Sequence, residues 1–151
     1  MATERDRPYS QFNFQVAIVG TVAGTDVKAG FQEVSGPGTE IHIAEYRAGN
    51  WSYNSPIKIP GSHKVTDVTM KRGVIGEVGT FHAWVVSVRD GKDDLRTITI
   101  QLMAEDRVTV AQTWTLHNAK PMKYTGPALT GKGTDVAIEE VVFCYETMDI
   151  T

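Results

Sequence analysis

The chain has 151 residues, 41% hydrophobic and 22% charged. That suits one soluble domain, residues 1–151, whose core buries roughly two-thirds of its potential surface. A formal net charge of -3, with no basic run longer than Lys71-Arg72, gives no attraction to nucleic acid or to an anionic membrane, and neither is expected as a partner. The single cysteine, Cys144, excludes an intrachain disulfide and a thiolate metal cage, and in its apolar run it reads as a small buried hydrophobe.

Residues 1–8 are mostly charged or polar and are expected to form a flexible or partner-ordered tail. They carry no apolar signal core, so synthesis in the cytoplasm without export by the usual signal is expected. Phe12, Phe14, Val16 and Ile18 alternate with polar or small residues, the period of a strand with one buried face. Gly20 to Lys28 predicts a hairpin excursion, Ala29 to Val34 its return strand, Ser35-Gly36-Pro37-Gly38 a turn, and Thr39 to Tyr46 another strand.

Residues 45–73 hold turn formers, exposed aromatics and a basic end, with no catalytic pattern. Connections in compact domains usually run about 4 to 6 residues, so a segment this long predicts an extended arm. Pro56 and Pro60 stiffen it, and the intervening Ile57-Lys58-Ile59 suits an edge strand or clamp. Three readings remain open: docking on another subunit, folding over its own domain, or closing on a ligand. For the first, Trp51, Tyr53, Ile57, Ile59, Lys71 and Arg72 are the candidate contact residues.

Lys64 to Lys71 predicts a strand, broken by Gly73 and Gly76. The one helix is predicted from about Thr80 to Asp90, because Phe81, Trp84, Val85 and Val88 form a single apolar stripe. Thr80 can cap its start, and Gly91 can take the left-handed closing conformation. Arg96 to Met103 and Val108 to Leu116 predict a hairpin across the turn at 104–107, Asn118 to Lys132 reads as irregular, and Val136 to Tyr145 as the last strand, apolar on both faces. Within that hairpin, Thr97, Thr99, Gln101, Thr109, Thr113 and Thr115 alternate with inward residues and predict a smooth polar wall. Mainly β architecture follows: a two-sheet sandwich or small barrel with one flanking helix and a long arm.

Chemistry is sparse. His42, His63, His82 and His117 stand at no metal-ligand spacing from one another or from Cys144, and neither metal nor cofactor is expected. Gly126 to Thr134 comes near a phosphate loop, but Gly133 stands where the metal-binding hydroxyl belongs, and a strand follows instead of a helix. The carboxylate pairs Asp93-Asp94, Glu105-Asp106 and Glu139-Glu140 read as solvated or contact groups, and no nucleophile elbow is present. An enzyme is therefore not expected. A ligand-binding barrel with 45–73 as its lid is the alternative to an assembly subunit.

Several segments together resemble the inner-tube proteins of contractile phage tails and of phage-tail-like contractile injection systems, the Hcp-like family. They are Tyr9-Ser10-Gln11-Phe12-Asn13-Phe14, residues 29–36 (AGFQEVSG), Glu45-Tyr46-Arg47, Ile59-Pro60-Gly61, Met70-Lys71-Arg72-Gly73, Trp84 with residues 88–92 (VRDGK), and Asn118-Ala119-Lys120-Pro121. Their order and spacing span residues 8 to 146, and extracellular toxin-delivery particles look closer than an ordinary phage. The resemblance implies hexameric rings stacked into a hollow tube, with strands joined across neighbours into the lumen wall. It implies a surrounding sheath, baseplate or spike initiator and tube-terminating partners, effector cargo in the lumen, and no membrane insertion by the chain itself. Assembly in the bacterial cytoplasm, followed by release in an extracellular particle or retention in a phage-like one, is the implied setting.

Overall fold

The computed structural model describes residues 7–19, 27–74 and 80–151. These form β1 Phe14–Val19, β2 Val27–Ala29, β3 Glu33–Ser35, β4 Gly38–Tyr46, β5 Ile57–Thr66, β6 Val68–Gly73, α1 Thr80–Arg89, β7 Arg96–Met103, β8 Val110–Thr125, β9 Ile138–Cys144 and β10 Thr147–Ile150. The expected tail falls almost wholly outside the described residues, as does most of the Gly20 to Lys28 excursion.

Eight strands make one antiparallel sheet ordered β2-β1-β7-β8-β9-β6-β3, with β10 beside β8. The 16-residue β8 turns this sheet into two packed layers, because its first part pairs with β7 and β10 and its last part with β9. Two irregularities let it do so: one where Asn118 takes φ 54, and one between Pro121 and Lys123. Bulges bend a strand and increase its twist, and proline is tolerated where the ladder is already interrupted. The expected irregular stretch from Asn118 is thus largely strand, extending to Thr125.

The predicted return strand at 29–34 also divides. β2 pairs with β1, whereas β3 crosses to β6 in the other layer.

Alternation fills the space between the layers. Val16, Ile18, Val68, Met70, Ile98, Ile100, Leu116, Val141 and Phe143 are buried, with Glu139 in the same inward row of β9, while the alternate residues Thr97, Thr99 and Gln101 on β7 and Ile138, Glu140 and Val142 on β9 are half-exposed. In β9 the expected two-faced character holds: Val141 and Phe143 are buried, and Ile138, Val142 and Cys144 are half-buried on the opposite side.

α1 connects the two layers and packs on β8. Trp84 is the largest fully buried side chain, tilted on Phe143 with ring centroids 5.2 Å apart, and its indole N–H donates to the Asp94 carbonyl at 2.8 Å. The Arg96 guanidinium lies 4.6 Å from the Trp84 ring centroid and 3.3 Å from the Asp94 carboxylate. Val88 packs on the core, Val85 is half-buried, and the Phe81 side chain lies outside the described residues. Gly91 takes φ 82, and the Gly91 and Lys92 amides donate to Val88 and Ser87, which closes the helix in a Schellman motif.

Candidate functional site

β4 and β5 form a separate two-stranded sheet and pack on each other more than on any other element. Thr39↔Val65, Ile41↔His63, Ile43↔Pro60 and Glu45↔Lys58 are cross-strand partners on one face; Glu40↔Lys64, Ala44↔Ile59 and Tyr46↔Ile57 are on the other. A bulge at Gly61 and Ser62 opposite His42 separates these pairs and accommodates Pro60 within a strand. Ile41 and Ile43 are therefore exposed on one side, and Tyr46, Ile57 and Ile59 on the other. A two-stranded ribbon is marginal alone, and contiguous exposed apolar residues on both its faces mark an interaction surface.

The ribbon is tied by hydrogen bonds at both ends. At its base Gly36 takes φ 97, and an added Cβ would come within 2.5 Å of the Asp67 carbonyl oxygen, so only glycine fits. The Tyr145 hydroxyl receives a hydrogen bond from the Gly38 amide at 3.2 Å and donates to the Gly38 carbonyl at 3.1 Å; the Thr66 hydroxyl donates to the Gly36 carbonyl. At its tip Trp51 meets Tyr46 edge-on at 6.0 Å, and Arg47 donates to the carbonyls of Tyr53 at 2.9 Å and Trp51 at 3.4 Å. Tyr53 projects 76% exposed.

The expected arm at 45–73 is thus the tip and returning strand of a longer hairpin, followed by a strand of the body. Trp51, Tyr53, Ile57 and Ile59 lie on the hairpin, but Lys71 and Arg72 do not. Only Asp67 separates β5 from β6, whose buried Val68 and Met70 anchor it in the core. Lys71 lies 3.8 Å from Glu33, and Arg72 pairs with the buried Glu139, which also accepts from Tyr124 at 2.7 Å. That bond to the Glu139 carboxylate, with burial and its charge, raises the Tyr124 pKa above the usual phenol value.

A second surface lies on the side of β1, β7, β8 and β10 facing away from the core. Gln15↔Gln101, Ala17↔Thr99 and Val19↔Thr97 join β1 to β7; Thr99↔Thr115 and Gln101↔Thr113 join β7 to β8; Thr115↔Asp149 extends the row to β10. His117 and Asp149 pair at 2.8 Å, and Asn118 donates to Glu146 at 2.8 Å. Five of the six predicted wall residues therefore share one half-exposed polar face. The sixth, Thr109, lies in the β7–β8 turn, where its amide and hydroxyl donate to Asp106. These bonds, that from the hydroxyl foremost, with one from the Val108 amide, hold the Asp106 carboxyl below its ordinary pKa.

A third feature is an open apolar groove of about 660 Å³ where β3 faces β1 and β7, walled by Phe12, Phe14, Val34, Ile100, Leu102 and Trp114. No residue of 45–73 lines it, so the hairpin does not lid this groove. Among the described residues no three His, Cys, Asp or Glu side chains gather as a metal site, and no helix is long and apolar enough to cross a membrane. Gly126 to Thr134 has no helix to aim at a phosphate. Glu139 faces the core, while its neighbour Glu140 stands opposite Lys71 on the other face.

Tyr145, Arg47 and the His117–Asp149 pair escape a sequence reading because each acts on a backbone or side chain placed by the fold. Only the period-2 position of Tyr145 after Val141 and Phe143 hinted that its ring would turn inward.

A family model described as T4-like virus tail tube protein gp19 matches residues 10–149. Among solved structures, the chain is similar to one in the sheath-tube complex of an extracellular contractile injection system, PVC, in its extended state: 25% identity, TM-score 0.83, 97% of this chain and 93% of the other covered. A chain of the anti-feeding prophage baseplate is similar with 18% identity, TM-score 0.84 and 97% of both chains covered. Hcp1 from Flavobacterium johnsoniae shares the fold more distantly, at 12% identity and TM-score 0.54, with 90% of this chain and 94% of the other covered. No curated protein matches the chain by sequence.

Proposed function

The chain belongs to the T4-like virus tail tube family, and from that premise we propose that copies of this tube-forming structural subunit close into hexameric rings that stack around a central bore. The bore would carry effector proteins, and the tube performs no catalysis. Self-association and contact with other proteins of the injection machine belong to the subunit role; sheath, baseplate or spike initiator and tube terminator are the partners proposed. The proposed setting is assembly in the bacterial cytoplasm, then release within an extracellular particle or retention in a phage-like one.

The observation that carries this reading is the pinned hairpin, apolar on both faces. Ile41, Ile43, Ile57 and Ile59 are each roughly half-exposed on a ribbon that its own barrel leaves uncovered. Burying such surface yields about 25 cal/mol per Å², and a neighbouring subunit is available to every hairpin. The polar face supports the bore. Small hydroxyls offer passing protein weak, exchangeable hydrogen bonds, whereas a large apolar wall would retain it.

Negative-stain microscopy of the purified chain, alone and with baseplate partners, tests the proposal. Hollow rings or tubes with six-fold views are expected; discrete monomers at every concentration and with every partner would overturn it.

A further inference from the structure

Glu139 is a buried carboxylate, 7% exposed, in the layer of β3, β6, β9 and the last part of β8, and both of its oxygens are engaged. Arg72, its direct partner across β6 and β9, donates to one; Tyr124, which stands opposite Val141 and reaches Glu139 diagonally, donates to the other at 2.7 Å. A carboxylate so placed needs its donors, because a buried charge left uncompensated is strongly destabilising.

Tyr124 reaches this place only because β8 carries one extra residue. Pro121 stands opposite Phe143 and Lys123 opposite Val142, so Met122 is the bulged residue, 58% exposed. An unbulged ladder would instead set Met122 against Val142, Lys123 against Val141 and Tyr124 against Glu140. Side chains alternate, so that register would bring Lys123 inward to Glu139 and turn Tyr124 outward. The Lys123 ammonium can donate to the carboxylate as the phenol does. Residues 126–137, between β8 and β9, hold neither strand nor helix and give the chain room for a shift of one residue.

We propose that Tyr124 is a positioning residue that selects the register of β8: its hydroxyl claims the second oxygen of Glu139, holds the bulge at Met122 and keeps Lys123 out of the core. Arg72 already matches the Glu139 charge, so a neutral donor completes the carboxylate without bringing a second cation inside. The consequence appears on the opposite face of the layer. There Lys120 stands by Cys144, Lys123 by Val142 and Thr125 by Glu140; in the other register Met122 and Tyr124 would take the last two places and one surface cation would be lost. What that face offers to any partner is thus set from inside the layer.

Paired cysteines read the register directly. On a Cys144→Ser background, Thr125→Cys with Glu140→Cys reports the observed register, since the two positions are direct cross-strand partners. Disulfide formation is measured at equilibrium in a glutathione buffer, with circular dichroism as the check on folding. Adding Tyr124→Phe should lower the disulfide's equilibrium constant roughly tenfold, as expected for losing a hydrogen bond to a buried charge. Adding Lys123→Glu as well should restore it, because the competing register would then set two carboxylates together. A second pair, Tyr124→Cys with Glu140→Cys, reports the other register: it should close, and Lys123→Glu should suppress it. An unchanged disulfide in Tyr124→Phe, a loss that Lys123→Glu does not restore, or a Tyr124→Phe chain that fails to fold would each make Tyr124 an ordinary packing residue and overturn the proposal.

Discussion

Truncating Trp84 removes three things at once: its contact with Phe143, the indole hydrogen bond to Asp94, and the surface on which Arg96 stacks. Aromatic-to-alanine changes in a core cost about 3–5 kcal/mol, a large share of a domain's stability. Thermal denaturation of Trp84→Ala should show that loss, and a melt close to the parent's would mean that the core collapses around the gap. Tyr145→Phe is a milder test. It leaves the Gly38 amide and carbonyl without their shared partner, at about 1 kcal/mol, and amide exchange at Gly38 should accelerate while the core amides stay protected.

Asp106 gives a pH signature with a definite sign. Its folded pKa is lowered, chiefly by the Thr109 hydroxyl, so its contribution to the β7–β8 turn is present above the unfolded value of about 3.9 and is lost as pH falls through the lower folded value. A carboxyl titration followed by NMR should give a midpoint below that of an ordinary aspartate, and Thr109→Val should move it back upward. An unchanged midpoint in the variant would assign the shift elsewhere.

At the scale of elements, the hairpin and the barrel separate folding from assembly. Trp51→Ala should leave the barrel melt nearly unchanged, because Trp51 meets Tyr46 at the tip rather than the core. Anchors buried at the centre of an interface cost about 2 kcal/mol or more when truncated, so tube yield at limiting subunit concentration should fall steeply. Equal yield from variant and parent would show that the tip stays in solvent within the assembly.

The same scale explains what sequence could convey. Alternation predicted β1, β4 and β7 closely, and the stripe with Gly91 predicted α1, because each obeys one period with clear end signals. β8 was misread after Asn118 because its second half changes layer through two bulges, and Asn118 and Pro121 look like turn residues in any local window. β10 was missed because four residues, Thr147–Ile150, show too little periodicity and are held by pairing to β8. The arm's existence was legible in its aromatics and prolines. Its far boundary was not, since the single strand expected over Lys64 to Lys71 is divided at a lone Asp67 into the end of the exposed β5 and the core strand β6, which runs on through Gly73.

For the whole molecule, the proposed bore depends on which face of the curved sheet turns inward in the ring. The candidate face is hydroxyl- and amide-rich across β1, β7 and β8, and where it reaches β10 its acid Asp149 is paired with His117. The residues named on this face in β1, β7 and β8 carry no charge, and the carboxylates Asp149 and Glu146 stand at its β10 edge, so transit over the middle of the wall should depend weakly on cargo charge. Thr99→Arg tests this, because Thr99 lies on the polar face, between Ala17 and Thr115 across the sheet, and away from both core and hairpin. The variant should fold and form tubes as the parent does, while each ring gains one cation per subunit at the bore. Particles built from it should load basic protein cargo less and acidic cargo more, read as cargo per particle by quantitative mass spectrometry. A high-resolution map placing Thr99 on the outer wall or between subunits would remove the lumen assignment, as would cargo loading indifferent to the new charge.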